Sequence, residues 1–225
     1  MAQGLFNSSI GRKFAMALSA FFLLIFLTQH FFINFLSVIS EDMYNSTSHF
    51  MGSNPLIQFA MQPILLAGII LHFVLGFVLE FRNRKARPIA YAKTNPSQNS
   101  TWMSRNMIWS GLVILAFLVL HFIDFWVPEI AHKYVHFGPV DETRYFGELT
   151  QKFHNPIRVG FYILAFVLLM MHLLHGFQSA FQSMGANHRK YNGFIKGFGK
   201  AFAILIPLGF IFIAVYHYLQ HIAVS

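Results

Sequence analysis

The chain of 225 residues holds twelve histidines and no cysteine. Five of the histidines lie deep in long apolar runs: His30, His72, His121, and His172 with His175. Their spacing is regular. His30 lies 17 residues after Lys13 and His121 lies 16 after Arg105, while His72 lies 17 after Pro55 and His172 lies 16 after Pro156. If the four runs are helices crossing a membrane in alternating directions, a rise of 1.5 Å per residue sorts the four side chains into two levels. His30 and His121 fall toward the outer half, His72 and His172 toward the inner half. Two histidines at each of two levels is the arrangement expected of two bis-histidine haems stacked across a membrane. A neutral imidazole is a good iron ligand, and its second nitrogen can hydrogen-bond a carbonyl that fixes the tautomer. Two axial histidines block both open positions, so that the iron passes electrons instead of binding oxygen.

Small residues accompany the candidate ligands. Gly68 and Gly76 lie four before and four after His72 on the same helix face, and Gly176 lies four after His172. The repeated H-x-x-x-G pattern and the matched depth favour His172 over His175, which sits one turn nearer the inner surface. The competing chemistry for any single membrane histidine is an interhelical hydrogen bond or a step in a proton path. His217 and His221 stand near the outer end of a fifth apolar run. His49, His132, His136, His154 and His188 fall in connecting segments and carry no expected redox role.

The elements that must position these side chains are set by composition. Hydrophobic residues make up 56% of the chain and charged residues only 11%, and 28 phenylalanines outnumber all charged side chains. A soluble domain carries roughly a quarter charged residues, so the expectation is a protein dissolved in lipid. Five apolar stretches are long enough to cross a bilayer, at Phe14–Ile39, Leu56–Phe81, Asn106–Val127, Pro156–Met184 and Phe198–Leu219. They lack two-residue alternation, which favours helices over a β-barrel. The predicted fold is therefore an all-α integral membrane protein whose first four helices form a dihaem four-helix bundle. The first stretch is too long for a cleavable signal peptide and no small-residue cleavage site follows it. No long internal repeat interrupts the chain, and residues 1–225 read as one membrane domain. The longest outer connection, about residues 128–155, is expected to form a short amphipathic or interfacial piece. The missing cysteine excludes disulfides, cysteine-ligated iron–sulfur clusters, zinc–thiolate sites and covalent c-type haem attachment.

Charge sets the expected orientation. With the N-terminus in the cytoplasm, twelve of the sixteen Lys and Arg residues fall on inner segments: Arg12, Lys13, Arg82, Arg84, Lys85, Arg87, Lys93, Arg105, Arg189, Lys190, Lys196 and Lys200. Only Lys133, Arg144, Lys152 and Arg158 fall outside. This follows the positive-inside rule and places the C-terminus on the outer side of an inner, cytoplasmic membrane. The net charge of +8 is thus a topology signal with affinity for anionic lipid. Its spread over three separate segments argues against nucleic acid as a partner.

At this point the chain resembles a known family, the cytochrome b membrane-anchor subunit of succinate dehydrogenase and fumarate reductase (respiratory complex II), of the single-chain, five-helix, dihaem type. The resemblance spans nearly the whole length. The opening SSIGRKFAMALSA is similar to the family's serine-containing basic segment before the first helix. The stretch HLLHGFQSAFQSMG, His172 to Gly185, is similar to its fourth-helix signature, in which the ligand stands four residues before one glycine and a second glycine follows nine further on. That alignment also selects His172. The resemblance implies that His72 and His172 bind an inner haem b and His30 and His121 an outer one. It implies partners as well: a flavoprotein subunit that oxidises succinate and an iron–sulfur subunit that passes the electrons on, toward a quinone, menaquinone for the dihaem type. The reverse direction, quinol-driven fumarate reduction, uses the same architecture. Basic inner loops, Arg82–Lys93 and Arg189–Lys200, are candidate docking and propionate-pairing surfaces.

A quinone site near the outer haem needs hydrogen-bonding groups and a proton route, for which Glu41, Asp42, Gln58, Gln62 and Asp124 are the outer-half candidates. Asp124 is three residues after His121 and so close to its face, or else an interfacial helix-end acid. Some relatives carry a carboxylate two residues before the fourth-helix ligand for transmembrane proton transfer. Here that position is Met170, which holds no proton. Two other functions share the pattern in part. A dihaem cytochrome b of a nitrate reductase, hydrogenase or formate dehydrogenase usually takes its ligands from fewer helices. A haem-free transporter or proton channel would use the histidines as relays.

Overall fold

The structure, a computed structural model, describes residues 8–85, 107–186 and 188–224. Among these, every regular element is helical. Helix α1 (Ser9–Ile39) starts where the Ser8 hydroxyl accepts the Gly11 N–H at 2.9 Å. It ends at Ser40, which serves two helices. The extended backbone of Ser40 returns its N–H to the Leu36 carbonyl, and its hydroxyl accepts the Met43 N–H at 3.3 Å, opening α2 (Glu41–Ser53). Helix α3 (Ile57–Lys85) begins after Asn54, whose Oδ1 takes the Leu56 N–H at 2.9 Å. Then follow α4 (Met107–Val135), the short α5 (Arg144–Lys152), α6 (Pro156–Ser183) and α7 (Arg189–Val224). Asn155 caps α6, and Pro156 occupies its first turn, where a missing N–H costs nothing.

Helices α1, α3, α4, α6 and α7 are long and apolar enough to cross a membrane. The fold is that of an all-α membrane protein with five spans. Large apolar side chains such as Ile25, Phe32, Ile70, Phe81, Val119 and Leu205 lie exposed along them. That much exposed apolar surface is the outer coat of a body solvated by acyl chains.

The helices run beyond the expected boundaries. The stretch expected to end at Val127 continues to Val135 through two widened turns, Phe122–Trp126 and Ala131–Val135. Pro128 explains the first. It has no N–H and its ring would clash with the carbonyl four residues back, at Asp124, inside the widened turn. Pro63 stands in the same relation to Phe59, inside the widened turn Ile57–Met61. The fifth span is longer at both ends, and Arg189–Lys200, expected as a loop, forms the first turns of α7. Arg82, Arg84 and Lys85 close α3, while Arg87, Lys93 and Arg105 lie outside the described residues. The polar segment after α1 is the helix α2, and α5 is the amphipathic piece expected in the long connection, with Leu149 buried.

Around the bundle, α1 packs between α3 and α6, α6 packs on α4, and α4 closes the ring with a lighter contact to α3. The diagonals of this ring are α1 with α4 and α3 with α6. Helix α7 lies outside it, most extensively against α6 and also against α1. The compact core gathers where α2 and α5 cover one end, from Tyr44, Leu149, Phe153, Tyr162, Phe166 and Phe210. This is the capped end; the opposite, basic end carries Arg12, Lys13, Arg82, Arg84 and Arg189.

Candidate metal centre

Each diagonal of the ring carries one histidine pair. Across α1 and α4, the rings of His30 and His121 stand with centroids 5.7 Å apart. Across α3 and α6, His72 and His172 stand 6.4 Å apart. An imidazole nitrogen bonds a first-row metal at about 2.0 Å, so two axial rings on one ion hold their centroids about 6 Å apart. Both pairs meet that spacing. The ring opposite His72 belongs to His172, and His175 lies one turn further along α6 toward the basic end.

Among the described residues no group of three or more His, Asp or Glu could hold a metal ion. Two protein ligands are too few for zinc, which takes four in structural sites and three in catalytic ones. A metal held by one of these pairs must bring the rest of its coordination sphere with it, as a haem does. The chemistry of the donor set therefore fits a bis-histidine haem at each level. The glycines fit it unevenly. A Cβ on Gly76 or Gly176 would meet only a methionine methyl, at 3.8 and 3.5 Å, whereas a Cβ on Gly68 would meet the Phe22 ring at 2.8 Å. Gly68 thus serves helix packing between α1 and α3.

The two pairs differ in what surrounds their second nitrogens. His72 Nδ1 lies 3.1 Å from the Ser19 hydroxyl and His172 Nδ1 lies 3.2 Å from the Ser110 hydroxyl. The Nδ1 of His121 is buried without a hydrogen-bond partner. Aromatic rings enclose the pair at the capped end, with Phe26 stacked on His30 and Phe117 on His121.

Of the five candidate quinone-site residues, Asp124 is the one linked through Tyr162 toward His121. It is 2% exposed, and its Oδ2 accepts a hydrogen bond from the Tyr162 hydroxyl at 3.0 Å and an ion pair from Arg158 Nε at 3.2 Å. The Tyr162 ring in turn lies 6.4 Å from that of His121. Gln58 accepts from the Tyr134 hydroxyl at the α3–α4 boundary. Glu41 and Asp42 are exposed in the first turn of α2, where their charge meets the positive end of the helix dipole. Gln62 is half-buried just after the widened turn Ile57–Met61 of α3.

Above this level the capped end is tied by ion pairs. Glu129 bridges Lys133 and Arg144, Arg144 reaches Glu148 at 2.7 Å, and Lys133 also donates to the Gly52 carbonyl of α2. Burial opposes the Arg144 charge, yet Glu129 and Glu148 hold its guanidinium above its ordinary pKa. Burial pushes the Tyr44 phenol up to about 12. His217, 3% exposed, hydrogen-bonds the Ser37 hydroxyl at 2.8 Å and joins α7 to α1.

The sequence reading missed Ser19, Ser110, Tyr162 and the role of Arg158. A signal for the serines was present. Ser19 stands eleven residues before His30, and Ser110 eleven before His121. Eleven residues are three helical turns, about 16 Å of rise on one face. No long repeat exists, but this short one relates α1 with α3 to α4 with α6. No protein-family profile, curated protein or solved structure matches the chain.

Proposed function

We propose that the chain is the membrane-anchor cytochrome b subunit of a succinate:quinone oxidoreductase of the complex II type. In this reading His72 and His172 hold one haem b near the basic end, and His30 and His121 hold a second near the capped end. The observation that carries it is the arrangement of one histidine on each of four ring helices, paired across both diagonals at ligand spacing. His30 with His121 and His72 with His172 would hold the haems, which would supply one-electron transfer there. The residues around them do the rest. Phe26 and Phe117 exclude water beside the pair at the capped end. Asp124, held by Arg158 and Tyr162, is the acid placed to exchange a proton with a quinone there. Arg82, Arg84 and Lys85 with the start of α7 offer a cationic face at the basic end, assigned here to the cytoplasm, for an iron–sulfur subunit and its flavoprotein. A chain without cysteine cannot ligate an iron–sulfur cluster through thiolates, so this function requires those partners.

The test is purification from native membranes after gentle extraction, with a redox spectrum. A reduced b-type α-band, about two haems per chain by the paired-ligand argument, and co-purifying flavoprotein with succinate–quinone activity are expected. A colourless, haem-free protein would leave a histidine relay in a transporter as the reading that stands. Haem with a different catalytic partner would assign the chain to another respiratory enzyme. His72→Ala or His172→Ala is expected to remove one haem and spare the other. Loss from His175→Ala with His172 dispensable would overturn the ligand assignment.

A further inference from the structure

We propose that Ser19 and Ser110 are the positioning residues of the His72–His172 pair: each accepts the Nδ1–H of its histidine, leaving Nε2 as the lone-pair nitrogen available to a metal. This rests on the bis-histidine reading above. A serine hydroxyl carries one proton. Ser19 Oγ donates it to the Met16 carbonyl at 2.9 Å, and Ser110 Oγ donates to the Met107 carbonyl at 2.9 Å, each three residues back in its own helix. The same two oxygens lie 3.1 and 3.2 Å from the histidine Nδ1 atoms. If the ring donates to the hydroxyl and the hydroxyl to the carbonyl, both contacts are hydrogen bonds. If instead the hydroxyl donates to the ring, two oxygens face each other at 2.9 Å with no proton between them. Ser19 and Ser110 are 5% and 7% exposed, so water does not relieve that contact. One orientation therefore satisfies every atom, and it is the tautomer that a metal-ligating imidazole needs.

The device occurs twice. Ser19 on α1 serves His72 on α3, and Ser110 on α4 serves His172 on α6. Each serine stands three turns before the other histidine of its own helix, so each of α1 and α4 supplies one ligand at one level and one orienting hydroxyl at the other. The pair at the capped end has no such support at His121, whose Nδ1 is buried without a partner. A ring that donates from Nδ1 becomes a stronger electron donor at Nε2, which favours the ferric over the ferrous state.

The experiment is a potentiometric titration of the purified complex carrying Ser19→Ala or Ser110→Ala, read by optical and electron paramagnetic resonance spectra. Each variant is expected to keep two haems and to raise the potential of one component alone. The expected size is up to tenfold in the ferric-to-ferrous balance, about 59 mV for one electron. The component that moves is the one that His72→Ala abolishes. Ser19→Thr and Ser110→Thr, which keep the hydroxyl, are expected to retain the unmodified potential. Two haems with neither potential moved, or with both moved equally, would overturn the inference while leaving the haem reading intact. An unmodified complex without haem would overturn the haem reading itself. Where an alanine variant loses its haem, the threonine variant decides: haem at the original potential supports the inference, and haem at a displaced potential overturns it.

Discussion

Asp124 is the residue whose surroundings most constrain what can be changed. One carboxylate oxygen takes both the Tyr162 hydroxyl and Arg158 Nε. The Asp124 side chain is 1% exposed and the Arg158 side chain 34%. Breaking a buried ion pair by removing one partner costs about 3–5 kcal/mol, and the partial exposure of the Arg158 side chain lowers that to about 2. Asp124→Ala is therefore expected to destabilise the protein by about 2 kcal/mol, and Tyr162→Phe by about 1.5 kcal/mol for one hydrogen bond to a charged group. Thermal unfolding in detergent, followed by tryptophan fluorescence, measures both. Combining the two changes should cost less than their sum, because both partners bind the same oxygen. Equal melting temperatures for Asp124→Ala and the unmodified protein would remove this carboxylate as a fixed part of the bundle. The sequence made this acid visible and hid its partners. A charge inside an apolar run stands out, whereas a tyrosine 38 residues away does so only once α4 and α6 are packed.

Elements divide along the same physical line. The spans were legible because lipid demands about twenty apolar residues in a row, and that demand is met within single segments. Their ends were less so. The span was expected to end at Val127, yet α4 passes Pro128 by widening the turn that holds Asp124. Helix α2 was illegible for another reason. Its polar sequence resembles a loop, and part of what holds it lies far along the chain, where the Phe146 N–H of α5 donates to the buried Asn45 Oδ1 at 2.7 Å. Asn45→Ala leaves an N–H in the first turn of α5 without that acceptor, at a cost of about 1–2 kcal/mol. The expected outcome is faster hydrogen exchange confined to residues 41–53 and 144–152, with the spans unchanged. Unaltered exchange in both short helices would show that the ion pairs of Glu129, Lys133 and Arg144 hold the cap alone. At the histidine site the same division holds. His30, His72, His121 and His172 could be read from the chain because each is ionisable in an apolar run. Ser19 and Ser110 left only their eleven-residue spacing as a signal, because small hydroxyl residues are ordinary in membrane helices and gain meaning only opposite a ring.

For the whole molecule, charge is distributed as strongly as hydropathy. Seven of the eight acidic residues, all but Glu80, lie in α2, α4, α5 and the α4–α5 connection, toward the capped end, and nine of the thirteen basic ones among the described residues lie toward the other. In the topology we propose, an odd number of spans sets the termini on opposite sides, and the basic excess is the argument for a cytoplasmic N-terminal side. The absence of cysteine makes this testable without background: a single introduced thiol is the only one in the chain. Ser225→Cys and Glu142→Cys are expected to react with a membrane-impermeant maleimide in intact spheroplasts. Ala2→Cys and Asn95→Cys are expected to react only after the membrane is opened. Inverted labelling of all four would keep the five-span fold and reverse its orientation, placing the His72–His172 pair on the side away from any cytoplasmic electron donor. Labelling of both termini from one side would remove a span. The two short helices bear on the same experiment. Because α2 and α5 cover the end nearest the His30–His121 pair, Glu142→Cys reports on the side that, in the proposed function, would exchange protons with a quinone.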